Sequence, residues 1–356
     1  MKMRLFDTVK KSILETTVVR SEIEDSSATK QYYNDLVKSL HIENFPLISI
    51  NTIEKRTYFV ESSDQFFLVF DHYLLEVMDF LNYAITDYVP ANIIELFLFR
   101  IFSEECYLQN KIPAAVEFIG KYINGLEKII EWYKAKKSSR LSDILFIQQA
   151  FLIAHEVFHF YVHSNPINRQ TVIKSKKQFL ERIQVYANDR DELAAHAMTG
   201  AINDEHMAEE CLCDSTAVIQ AIDVGTKLEK LNIVEAGIAA SMAIFDQFTV
   251  STIQDAVKFS GDILYERVQN LLNFRLLHMK AFTSLYIKKY GAPNDLNSYQ
   301  TQIELYHEQW MERVFSPLMK MLVENNELLK GSTEIFTAND EEIKRAREFL
   351  KSVYRY

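Results

Sequence analysis

The stretch Ala150-Phe151-Leu152-Ile153-Ala154-His155-Glu156-Val157-Phe158-His159-Phe160-Tyr161-Val162 contains no glycine or proline and is apolar except at His155, Glu156 and His159. It predicts a buried helix over about 142–162, with Ser142 as N-cap and a stop near Asn165-Pro166. On a helix, residues four apart share a face, so His155 and His159 can offer two imidazole nitrogens to one point while Glu156 projects beside them. Three such polar side chains on a buried helix need partners, and a metal ion supplies them. Chance yields about 0.02 HExxH matches in a chain with this composition, so the motif has weight of its own.

The rest of the composition fits a helical host. A length of 356 residues and 48% apolar content can supply a large core. Only 8 Gly and 6 Pro disfavour phosphate-cradling loops, propellers and many-stranded sandwiches, all of which need frequent turns. A net charge of −10 leaves no broad basic surface for a phosphate backbone, so nucleic acid is not an expected partner. Three cysteines are too few for a disulfide framework and form no CxxC clamp. Charged residues within MKMRLFDTVKK interrupt any secretory core, and the longest uncharged apolar runs fall short of the roughly 18 residues that cross a bilayer. The expectation is a cytoplasmic chain with no membrane partner.

Along the chain, helices are expected around Arg4–Glu15 and Lys30–Leu40. Residues 45–71 are β-rich, with a hairpin turning at Ser62-Ser63-Asp64. Apolar periodicity from His72 to Lys137, broken at Pro90 and Pro113, predicts three helices. A further helix is expected over about 205–222, and helices from Lys227 to Lys289 and from Leu296 to Leu329 flank a turn at Gly291–Asp295. The fold class is mainly α (α+β). Residues 1–225 form the region that holds the motif, and 226–356 a C-terminal helical layer in the same or an adjoining domain.

Catalytic zinc generally has three protein ligands plus an open position, so one more is needed. The extended metzincin motif would place Gly at Val162 and His at Asn165, which excludes that class. A better source is Glu209-Glu210-Cys211-Leu212-Cys213-Asp214-Ser215-Thr216-Ala217, where Glu210 and Asp214 share a helix face. HEVFH followed by EECLCDSTA resembles the gluzincin arrangement of zinc metallopeptidases across about 65 residues. A looser similarity is to phage-exclusion proteases of the Lit type. The gluzincin resemblance implies that His155, His159 and Glu210 bind Zn2+, that Glu156 is the general base, and that Asp214 orients a ligand histidine. It further implies a protein or peptide substrate lying along a sheet edge, for which the strands of 45–71 are the candidates. The oxyanion donor is open among His206, His278 and Tyr265.

Other readings stand beside this one. His163 continues the series but has turned about 80° from His155, which suggests a surface histidine. Cys211 or Cys213 could replace Glu210 as ligand, although buried apolar cysteine is more usual. A second ExxH at Glu304–His307, with Glu127 and Glu266, would suit a ferritin-like di-iron oxidoreductase. The last alternative is a non-catalytic helical interaction protein with a structural zinc.

Overall fold

The structure is a computed structural model. It describes residues 26–62, 65–86, 89–135, 140–164, 205–259 and 264–330, the short stretches 8–11, 19–22, 173–178 and 180–181, and isolated positions 170, 341, 344 and 348. Strand β1 (Val19–Glu22) precedes helix α1 (Ser27–Ser39). The Ser26 side chain starts α1 by accepting the Thr29 N–H, the usual remedy for an orphan amide at a helix start. Strands β2 (Leu47–Thr52), β3 (Tyr58–Ser62) and β4 (Gln65–Asp71) follow. The sheet order is β1-β2-β4-β3, with β3 and β4 antiparallel as the hairpin predicts. Positions 63 and 64 of that turn lie outside the described residues. Two features go beyond the sequence reading: β2 and β4 are parallel, and β1 adds an antiparallel strand that no alternation announced.

Four helices, rather than three, occupy the next segment: α2 (His72–Thr86), α3 (Ala91–Leu108), α4 (Ile112–Asn124) and α5 (Leu126–Ala135). The extra break falls at Gly125, where a Cβ would lie 2.2 Å from Leu96 Cδ1, so the chain passes too close to α3 for a side chain. Helix α6 (Arg140–Ser164) carries the HExxH motif and begins before Ser142, which therefore sits inside its first turn and is not the cap. Helix α7 (Glu205–Lys227) continues through Gly225. Helix α8 (Ile233–Lys258) opens with a reciprocal Asn232–Glu235 capping box. Helix α9 (Leu264–Tyr290) and α10 (Asp295–Trp310) follow, then a π-turn at Met311–Phe315, α11 (Ser316–Glu324) and α12 (Asn326–Leu329). Of the helix expected at Arg4–Glu15, only 8–11 falls among the described residues, and it is helical. The fold is mainly α with a small sheet, and one hydrophobic core runs from Tyr32 to Leu329 across both the motif-bearing region and the C-terminal helices.

Helix α6 runs through the middle of this core and is held near its C-terminal end and again at 148–150. At its C-terminal end Phe160 stacks on Phe45 (4.3 Å) and meets Phe66 (4.8 Å) and Phe59 (6.1 Å), which ties the helix to the sheet. Upstream, Gln148 exchanges two hydrogen bonds with Asn82 of α2 (2.7 and 3.1 Å) and donates to Asp246 of α8 at 2.9 Å. Thr29 of α1 donates to Gln149, and the Tyr32 hydroxyl to the Ala150 carbonyl, each at 3.0 Å. Over 18 residues α6 and α8 are long and apolar enough to cross a membrane (mean hydropathy 1.3 each), although no uncharged run in the sequence is that long. Here 67% and 72% of those windows are buried inside the protein, which is how core helices meet the same test.

Asp246 is fully buried, and burial pushes its carboxyl well above the usual range despite the hydrogen bond from Gln148. A carboxyl that stays protonated when folded but ionises when unfolded lowers stability as pH rises from the unfolded pKa towards the folded one. Asp246→Asn keeps an acceptor for Gln148 and removes this titration. Urea unfolding should show the variant gaining on wild type from pH 5 to pH 8, by up to about 1.4 kcal/mol per pH unit while the wild-type carboxyl remains protonated. A pH-independent difference would show that Asp246 is ionised in the fold.

Candidate metal centre

Helices α6 and α7 pack along their length, and the seam between them brings the predicted residues together. His155 Nε2 and His159 Nε2 face each other at 3.0 Å. Glu210 of α7 places Oε1 3.1 Å from His159 Nε2 and Oε2 3.4 Å from His155 Nε2. One ligand atom from each of the three residues lies within 4.8 Å of the other two, so the set can close around a single ion. His155 and His159 are buried, whereas Glu156 is half-buried and keeps access from outside.

Each imidazole is also approached on its far side by a carboxylate. Asp214 Oδ1 lies 3.0 Å from His155 Nδ1, and Glu209 Oε1 lies 3.3 Å from His159 Nδ1. Carboxylates at Nδ1 favour the Nδ1–H tautomer, which turns the Nε2 lone pairs inwards. Two inward ring nitrogens 3.0 Å apart beside a carboxylate need a proton or a cation between them, and this donor set fits zinc. The Asp214 contact in turn rests on Arg275 of α9, whose Nε and Nη2 donate to Asp214 at 2.9 and 2.6 Å. The same Nη2 lies 3.8 Å from Glu210 Oε2.

The titration shifts express this arrangement. Burial alone would raise Glu210, but the two imidazoles and Arg275 hold its carboxyl far below the usual range. Burial likewise opposes ionisation of Asp214, and Arg275 with His155 overcomes it. Burial would lower His155, yet Asp214 and Glu210 push it up to about 10. His159 is raised too, with Glu210 outweighing its burial. For Glu156 burial dominates and raises the carboxyl, partly offset by both histidines. The pocket is therefore built to hold positive charge next to a desolvated carboxyl group.

The other candidates fall as follows. Cys211 and Cys213 are fully buried, burial raises both thiols, and neither belongs to the group of close ligand atoms that His155, His159 and Glu210 form. His278 is buried, held near Ser215 Oγ (3.2 Å) and pushed well below its ordinary range by burial. Buried Lys176 contacts the same Ser215, next to Asp214, and burial lowers its amine to about 8. His206 is exposed, with Nε2 3.9 Å from Glu210 Oε1. The side chains of Tyr265 and Glu266 lie outside the described residues. Glu304 and His307 both engage Lys280 (2.9 and 3.2 Å), and Glu127 is exposed on α5. The sequence reading gave no role to Glu209 or Arg275 and placed His163 on the surface, where its side chain is half-exposed while its Nε2 lies 3.0 Å from Glu209 Oε1. Adjacency to Glu210 could have flagged Glu209. No spacing signal points from α7 to Arg275.

Comparison of the chain with protein-family models, with curated proteins and with solved structures finds no match. Asp214 and Arg275 would reach a bound ion only through His155 and Glu210, so if the centre takes zinc, Asp214→Asn and Arg275→Gln should each weaken its binding by about 10–100-fold. Competition against a chromophoric chelator measures this, with circular dichroism checking that the helices persist. Unchanged affinity in both variants would remove them from the site.

Proposed function

We propose that the chain is a zinc-dependent metalloendopeptidase of the gluzincin type, acting on protein or peptide substrates in the cytoplasm. The observation that carries this reading is the convergence of His155, His159 and Glu210, from two helices, with Glu156 beside them. When bound, zinc supplies Lewis acidity that polarises a carbonyl and lowers the pKa of water towards about 7.

The remaining chemistry belongs to the chain. Glu156 accepts a proton from the attacking water through its carboxylate and returns it to the departing amine nitrogen as the C–N bond breaks. Its half-buried position, desolvated by the core yet open on one side, suits both transfers. Asp214 and Glu209 hold the two imidazoles in orientation, and Arg275 holds Asp214. Strand β3 pairs with β4 on one side and has no strand partner on the other among the described residues. It lies against the C-terminal end of α6 through Phe59, whose ring is 6.1 Å from Phe160 and 6.2 Å from His163. An extended substrate added to this free edge would take up backbone hydrogen bonds next to the zinc helix. Of the two expected oxyanion donors whose side chains are described, His278 is buried against Ser215, and His206, exposed at the rim of the ligand cluster, is the one we assign to this role.

The test separates binding from chemistry. Wild type should hold one zinc per chain, His155→Ala and Glu210→Ala should lose it, and Glu156→Gln should keep it while hydrolysis of a casein or peptide-library substrate drops by at least about 100-fold. Full zinc in Glu156→Gln with unchanged hydrolysis would remove Glu156 as the base. Zinc retained in both ligand variants would overturn the site.

A further inference from the structure

The α6/α7 seam extends one turn beyond the three ligands described above. His159 Nδ1, His163 Nε2 and a Glu209 carboxylate oxygen also lie within 4.8 Å of one another. Glu209 Oε1 is 3.3 Å from His159 Nδ1 and 3.0 Å from His163 Nε2. The pattern repeats the first site: two histidines four apart on α6 and one glutamate from α7. Glu209 is only 2% exposed, so its charge is held at the seam and not dispersed into water. The His163 side chain is 50% exposed, which leaves a route for an ion and room for coordinated water.

We infer that this seam holds a second, weaker divalent-cation site formed by His159, His163 and Glu209, sharing the His159 ring with the first. Two imidazoles and a carboxylate suit Zn2+, Co2+, Ni2+ or Cu2+, and disfavour Mg2+ and Ca2+, which take oxygen donors. The inference rests on the zinc-site reading in one respect, that His159 directs Nε2 to the first ion. Occupying Nδ1 as well displaces the proton shared with Glu209 into solvent, so the second ion competes with that proton and binds less tightly than the first.

The full-length chain, stripped with a chelator and titrated with Co2+, tests this through its visible absorption and metal content. Wild type should take up two cobalt ions in separate steps, the second at least about 10-fold weaker. His163→Ala, altered at a half-exposed position in the last turn of α6, should take up one, with the first step's spectrum unchanged. His155→Ala should lose the tight step. A single step in wild type, identical in His163→Ala, would overturn the second site and leave the first intact. Two steps persisting in His163→Ala would also overturn it. Loss of the tight step from none of the variants would instead count against the zinc-site reading itself.

Discussion

Two histidine nitrogens pointing at each other across 3.0 Å impose the constraint around which the centre of this molecule is arranged. Lone pairs so placed repel unless a proton or a metal ion stands between them. Glu210 supplies the third donor and Asp214 and Glu209 face the outer sides of the rings, so the surrounding charge favours a cation. Burying this many carboxylates is costly, and Arg275 offsets part of that cost through its paired hydrogen bonds to Asp214. The arrangement survives because α6 cannot turn or slide: Gln148 and Ala150 are held by side chains from α1, α2 and α8, and Phe160 by the sheet.

The division of labour follows the helices. Helix α6 contributes both histidines and Glu156 from a single turn, which fixes their mutual geometry by backbone hydrogen bonding alone. Helix α7 contributes Glu209, Glu210 and Asp214, whose position depends on packing. Helix α9 contributes Arg275, which links the centre to the C-terminal helices. These helices are thus part of the site's support, consistent with the continuous core and with α7 running unbroken past Gly225.

Much of the centre was legible in the sequence because it is local. His155, Glu156 and His159 lie within five residues, and Glu210 and Asp214 lie four apart, so helical period alone predicts which of them share a face. The helical class and the β3–β4 hairpin were likewise readable, since apolar period and turn residues carry them. What escaped depends on tertiary contact. Strand β1 owes its state to pairing with β2, the Gly125 break to the approach of Leu96, and Arg275 to the way α9 lies over α7. His163 illustrates the limit well: its 80° rotation from His155 turns it away from the first site, yet Glu209 of α7 lies 3.0 Å from it.

The central claim is that one zinc ion is held by two imidazole nitrogens and a carboxylate oxygen. X-ray absorption at the zinc edge of the purified full-length chain, loaded with one equivalent, tests it most directly. The account predicts a nitrogen and oxygen shell at about 2.0–2.2 Å with an imidazole scattering pattern and no sulfur. A sulfur shell near about 2.3 Å would place Cys211 or Cys213 on the metal and contradict the ligand set. A chain that takes up no zinc would contradict the site altogether.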